Sequence, residues 1–162
     1  MSDGDDMVRD VLSRAPGHPL RVAIDGVTAS GKTTCAQWLV NAVAAQGRPS
    51  VHVTMDGFHH RRAHRYRQGR ASALGYYRDA YDFDAFVSHV LIPLGPNGSG
   101  AIRRRVIDMA TDEPVDDPLG GPEAAGRAFD QRYHAACRIY VDEVDPRARA
   151  TRVLPVDWIA IG

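Results

Sequence analysis

Gly26-Val27-Thr28-Ala29-Ser30-Gly31-Lys32-Thr33 decides the reading of this chain. The octet fits G-x-x-x-x-G-K-[ST], a loop whose backbone amides wrap a polyphosphate. Gly26 and Gly31 permit backbone angles that side chains resist. The amides then converge at the positive end of the helix that follows. Lys32 is the only lysine among 20 Lys and Arg residues. An arginine would serve badly there, because a compact ammonium neutralises β- and γ-phosphates as a point charge, whereas a planar guanidinium is larger and wants a forked partner. The expectation is a nucleoside triphosphate held by Gly26, Val27, Thr28, Ala29, Ser30, Gly31, Lys32, Thr33 and Thr34. The Thr33 hydroxyl is the expected Mg²⁺ ligand.

The flanks agree with the loop. Residues 20–25, Leu-Arg-Val-Ala-Ile-Asp, read as a buried strand running into it. From residue 32 to about 46 a helix is expected, with Cys35, Leu39 and Val43, beside Ala36 and Val40, on one buried side. Gly47 and Pro49 end it, and residues 50–55 alternate as a second, β-branched strand. Strand, Gly-rich loop, helix, strand opens a parallel α/β sheet. Both early strands end in Asp-Gly, at Asp25-Gly26 and Asp56-Gly57. Ligands of such sheets bind beyond the carboxyl ends of the strands, so topology places Asp56 near the loop. A carboxylate there suits a base for a substrate hydroxyl, or a Mg²⁺ ligand through water. An Asp after a strand also serves as a plain turn cap.

Elsewhere the pattern predicts a short helix over residues 5–15, stopped by Pro16-Gly17, and a helix opened by Asp82 or Asp84 that takes in Phe83, Phe86, Val87, Val90 and Leu91. A short strand is expected over 101–108, a loop over 111–121, a helix over 123–145 and a last strand over 152–161. Arg138-Ile139-Tyr140-Val141-Asp142-Glu143 imitates an apolar strand ending in acids, but its flanks have helical period.

At 162 residues the chain is read as a single domain, 1–162, large enough for a core. A formal net charge of zero argues against a dedicated nucleic-acid binder. The acidic start lacks the basic, apolar run of a signal peptide, and no apolar run reaches membrane-spanning length. Cys35 and Cys137 stand far apart, without a Cys-x-x-Cys spacing. A cytoplasmic protein with reduced cysteines is expected. His59, His60 and His64 lie among Arg61, Arg62, Arg65, Arg67 and Arg70, which reads as a basic lip near phosphates or a solvated face. Tyr76, Tyr77, Tyr81 and Phe83 with Asp79, Asp82 and Asp84 mix flat apolar surface with carboxylates, a combination suited to a nucleobase and ribose hydroxyls.

With Met55-Asp56-Gly57-Phe58-His59 and the run from Tyr77 to Phe86 beside the loop, the chain resembles the uridine kinase family, grouped with phosphoribulokinase and pantothenate kinase. The resemblance runs from about residue 20 to 118 and resumes at about 121 through 146. It implies a P-loop nucleoside-triphosphatase fold of three layers, with ATP and Mg²⁺ as cofactors. Lys32 and Thr33 would take the phosphate and magnesium roles, and Asp56 would activate a nucleoside 5′-hydroxyl. Asp82 would grip ribose hydroxyls, Tyr81 would sit near the base, and His59 would fall on the substrate side. The family normally has a strand ending in an acid, a further strand and an arginine-bearing lid after the acidic loop. Here Asp117-Pro118-Leu119-Gly120 runs straight into Gly121-Pro122-Glu123, so that segment is read as missing and the parallel sheet as reduced. The ending Val153-Leu154-Pro155-Val156-Asp157-Trp158 departs from the family as well. The expected activity is transfer of the ATP γ-phosphate to the 5′-hydroxyl of uridine, cytidine or a similar small alcohol. The rivals are a non-catalytic nucleotide-binding remnant, with a partner or a homo-oligomer covering the gap in the sheet, and a kinase for another small metabolite.

Overall fold

The computed structural model describes residues 3–117, 145–151 and 153. Contacts divide the chain into two compact units: Met1–His52 with Pro146–Gly162, and Val53–Asp145.

In the first unit, α1 (Asp3–Ser13) packs against α2 (Lys32–Ala45). Cys35, Leu39 and Val43, four residues apart, make the buried stripe of α2, at 3%, 6% and 3% exposure. Burial pushes the Cys35 thiol pKa up, which keeps it an inert packing group. Gly47, at φ 81°, ends α2: its amide donates to Ala44 O and the Arg48 amide to Val43 O. This paired turn requires a left-handed residue, which is why glycine stands there. The turn carries Arg48 to the end of α1, where Nη1 donates to Val11 O and Arg14 O, both at 2.8 Å. A cation is favourable at a helix C-terminus.

The second unit begins with a 3₁₀ turn, Met55–Phe58, then α3 (Arg62–Arg65), α4 (Ala73–Asp79) and α5 (Phe83–Phe86), which runs on into a π-helical turn, Val87–Leu91. Asp82 caps α5 by accepting from the Ala85 amide at 2.8 Å. Strands β1 (Arg105–Ile107) and β2 (Pro114–Asp117) pair antiparallel, with Ile107 opposite Pro114 and Arg105 opposite Asp117. Phe58 is fully buried and meets Phe86 edge-on at 5.2 Å, while Ala80, Val90, Ile102 and Ile107 complete the core. Gly57 lies against the chain entering β1; a Cβ there would come 2.6 Å from Arg104 O. Asp79, 1% exposed, is held by Arg67 Nη2 and by Gln68 Nε2, and the guanidinium is the main reason its carboxyl sits below the usual range. The short helix α6 (Pro146–Arg149) belongs to the first unit.

The described residues do not show the expected parallel sheet. Residues 20–25 and 50–54 form no strand, and among the described residues the sheet is the antiparallel pair alone. Val22 and Val51 are each 48% exposed. A helix closes its own hydrogen bonds, but a strand needs a neighbour to take up its amides and carbonyls. Among the described residues neither segment has one. The strand expected over 101–108 contracts to β1, and the loop expected over 111–121 opens with β2. The first helix runs from residue 3 to 13, earlier than its apolar pattern suggested. All but Asp145 of the helix expected over 123–145, Cys137, the strand-like run 138–143, the junction of Gly120 with Gly121 and most of the last strand lie outside the described residues.

Candidate active site

Gly31 caps α2 from the left-handed region, at φ 81° and ψ 14°, and has no side chain to satisfy the first amides of the helix. Those amides have no intrahelical acceptor. Ala29 also has positive φ, 63°, unusual for a residue with a Cβ and worth roughly 1–2 kcal/mol of strain. Left-handed residues on either side of Ser30 turn successive amides toward one side, the geometry of an anion nest. The Ser30 amide closes the turn on Val27 O at 3.2 Å. Lys32 Nζ folds back over the loop to donate to the same carbonyl at 2.7 Å. A Cβ on Gly26 would stand 2.8 Å from Ser30 Oγ, so bulk there would enter the loop. Thr33 and Thr34 are exposed.

The other expected residues lie in the second unit. Thr54 Oγ1 accepts from the Asp56 amide at 3.2 Å and so starts the 3₁₀ turn. The Asp56 side chain is exposed and has no hydrogen-bond partner among the described residues. His59 Nδ1 lies 3.0 Å from Asp56 O. His59 and Tyr81 form an isolated antiparallel bridge, flanked by His60 N donating to Ala80 O at 2.9 Å and Asp82 N donating to Phe58 O at 2.7 Å. The bridge lays the His59 ring against that of Tyr81, centroids 4.3 Å apart, and the Tyr81 hydroxyl is 2.8 Å from that of Tyr76. Two segments twenty residues apart thus bring Asp56, His59, Tyr81 and Asp82 into one neighbourhood.

His60 Nδ1 stands 3.6 Å from Asp82 Oδ2 and stacks on His64 at 4.0 Å. Burial, then the nearby His64, hold the His60 pKa below its usual value, against the pull of Asp82 and Asp79. At neutral pH His60 is therefore uncharged, and its approach to Asp82 is not an ion pair. Beside this pair lies a cavity of about 330 Å³ lined by His59, His60, Asp82, His89 and Arg103, with Val106 and Ile107 among its apolar walls. A larger one, about 550 Å³, sits on α1 and α2 around Val8, Leu12 and Trp38, with Asp5, Arg9, Ser13 and Gln46 as its polar side chains. Sequence reasoning missed His89, Arg103 and Asp112. Asp112 anchors the turn before β2 by accepting from the Arg62 amide at 2.9 Å and from Arg65 Nη1 at 3.1 Å. The only signal for Arg103 was its place in Arg103-Arg104-Arg105, a run too charged for a buried strand.

The donor set suits the groups expected of it. The nest and one ammonium match a polyphosphate, and the Thr33 hydroxyl and Asp56 carboxylate are oxygen donors of the kind Mg²⁺ takes. Lys32 and Thr33 belong to the first unit, Asp56, His59, Tyr81 and Asp82 to the second. Among the described residues no group of three or more His, Cys, Asp or Glu is placed to hold a metal by itself, and no helix is long and apolar enough to cross a membrane.

No family model matches the chain, and no curated protein matches it. A solved structure does, that of a possible uridine kinase from Bacillus stearothermophilus, with a TM-score of 0.71. The fold is uridine kinase-like. The likeness takes in 94% of this chain and 97% of the other at 23% identity, so it speaks for fold, of the α/β class, and not for substrate.

Proposed function

We propose that this chain is an ATP-dependent phosphotransferase of the uridine kinase type, acting on the 5′-hydroxyl of uridine, cytidine or a similar small alcohol. The observation that carries the reading is the loop: positive φ at Ala29 and Gly31 and the ammonium of Lys32 drawn across it form a ready cradle for a polyphosphate. In the proposed reaction the loop amides and Lys32 hold the β- and γ-phosphates. Asp56 takes the proton of the acceptor hydroxyl as its oxygen bonds to the γ-phosphorus and the bond to ADP breaks. Mg²⁺, when bound, would supply charge neutralisation to the phosphates; the proposed oxygen donors are Thr33 of the first unit and Asp56 of the second. Tyr81 and His59 offer the acceptor a flat face and Asp82 a carboxylate for its hydroxyls. The proposed setting is cytoplasmic, with small molecules and no nucleic acid or membrane as partners, in one domain.

A second reading, nucleotide binding without turnover, is favoured by one observation: residues 20–25, which lead into the loop, pair with no strand among the described residues. Missing strands between Gly120 and Gly121 would account for that, and self-association is then one way to cover the edge. Titration with ATP·Mg²⁺ and assay with labelled ATP over a panel of nucleosides separate the two. Turnover abolished in Asp56→Ala with ATP still bound supports the kinase. Binding without turnover on any alcohol leaves the second reading, and binding unchanged in Lys32→Ala sinks both.

A further inference from the structure

Arg65 is 4% exposed, an uncommon place for a guanidinium. Its Nη1 has two protons to give. One goes to His60 O at 2.7 Å and the other to Asp112 Oδ1 at 3.1 Å. Asp112 stands in the connection of β1 to β2, left-handed at φ 65°. Asp108 closes that connection: its carbonyl accepts from the Asp112 amide at 2.8 Å, and its carboxylate receives the Ala110 and Thr111 amides at 2.8 and 3.1 Å. The Asp112 carboxylate also receives the Arg62 amide at 2.9 Å and so caps α3, for which the side chain of the preceding Arg61 makes no cap. The turn between the strands is thus joined to the first and last residues of α3, and through Arg65 to the carbonyl of His60.

His60 is where this bears on the site. Its amide is spent on Ala80 O across the bridge, and its carbonyl on Arg65. Both main-chain groups are thereby fixed, which sets how the rings of His59 and His60 stand against Tyr81 and His64. A buried ion pair is a weak stabiliser, because desolvation offsets most of its Coulomb gain. What a rigid, forked guanidinium supplies is direction.

We infer that Arg65 is a positioning residue: aimed by Asp112, it holds the His60 carbonyl, and with it the face that His59, His60 and Tyr81 offer the acceptor. It acts through His60 and not on the acceptor. The acceptor half rests on the phosphotransferase reading; the hold on His60 does not.

The test follows the His60 ring by NMR in the full chain between about pH 5 and 8. His60 faces His64, Asp82, Asp79 and Arg67, and burial together with His64 keeps its pKa below the ordinary value. In Arg65→Met, which keeps an apolar stem and removes the donor, the ring should gain water and part from His64, so its pKa should rise toward that value. Asp112→Asn loses a charge but keeps an oxygen for Nη1, and its His60 titration should stay that of wild type. A mere change of charge would instead move the two variants in opposite directions, and that result would overturn the inference. A folded Arg65→Met that titrates like wild type would overturn it too. If Arg65→Met melts early, Asp112→Ala, which strips α3 of its cap and Arg65 of its carboxylate, takes its place with the same expectation. Equilibrium dialysis with uridine should show binding about tenfold weaker in Arg65→Met, the worth of one hydrogen bond, with ATP affinity unchanged. Uridine held as tightly as by wild type would overturn the acceptor half. Wild type that binds no uridine strikes the acceptor reading under the proposed function, and the His60 titration then decides this inference alone.

Discussion

Replacing Gly57 by alanine tests whether the turn that carries Asp56 is seated on the chain entering β1. The new Cβ would stand 2.6 Å from Arg104 O, 2.8 Å from Arg105 Cβ and 3.0 Å from Arg105 Cα. Carbon atoms in comfortable contact lie about 3.5–4.0 Å apart, so the turn must lift by roughly 0.5–1 Å. Two of the three neighbours are main-chain atoms and cannot rotate away. Overpacking typically costs about 1–3 kcal/mol, and a main-chain clash belongs in the upper half of that range. At about 2–4 °C per kcal/mol for a chain of this size, the melting temperature should fall by roughly 4–12 °C. On the proposed reading the same lift moves the Asp56 carboxylate off the acceptor oxygen, and a displacement near 1 Å costs on the order of a hundredfold in turnover. ATP affinity should not change, because the loop closes through bonds of its own. Thermal unfolding followed by circular dichroism, ATP titration and turnover, each on wild type and Gly57→Ala, give the three readouts. A melting temperature within 1 °C of wild type (~0.3 kcal/mol on the same scale) would refute the packing of the turn on β1, and loss of ATP affinity would refute the independence of the loop.

Lys32→Ala removes the ammonium that bridges the loop and should weaken ATP binding by about 10- to 150-fold, the range for a charge-assisted hydrogen bond worth roughly 1.5–3 kcal/mol, as read by calorimetric titration. Arg48→Ala removes the Nη1 donor from Arg14 O and from Val11 O, which keeps only the Arg14 amide, and should destabilise the first unit by about 1–2 kcal/mol in urea unfolding. The sign for His60 follows from its lowered pKa. Above about pH 6.5, the ordinary histidine value, folded and unfolded forms are both neutral. As pH falls below it, the unfolded chain takes up a proton that the folded one resists, so stability is present above that value and lost on descent through the folded pKa. Urea midpoints between pH 7.5 and 5 should therefore fall more steeply for wild type than for His60→Gln, and equal slopes would contradict the burial of this ring.

What was legible in the sequence divides by the range of the interactions. The loop and α2 were read to within a residue, because Gly31, Lys32 and the spacing of Cys35, Leu39 and Val43 act within one or two turns. The cap at Asp82 was legible for the same reason. The two early strands were misread because alternation and β-branching report only a fitness for pairing; the partner comes from elsewhere in the chain. Asp112 was passed over as one acid in a loop. Its role depends on Arg62 and Arg65, nearly fifty residues earlier, and no local pattern points there. His59, Tyr81 and Asp82 were named through the resemblance, and the bridge that brings them together was not foreseen.

The same division orders the two halves of the proposed function. Nucleotide capture needs residues 26–34, which close on themselves through Val27 O and open α2 without help from a sheet. Acceptor recognition needs the bridge between residues 58–60 and 80–82, closed within the second unit. Phosphoryl transfer needs both at once, held to a fraction of an ångström. In a parallel α/β fold that alignment is the work of strands ending side by side. Residues 20–25 and 50–54, the segments that would end there, have no strand partner among the described residues. On the proposed reading, binding of either ligand is the more robust property, and turnover is the one that depends on how those two segments are paired. A condition that supplies the neighbours, such as a second copy at high concentration, should raise turnover more than it raises affinity for ATP.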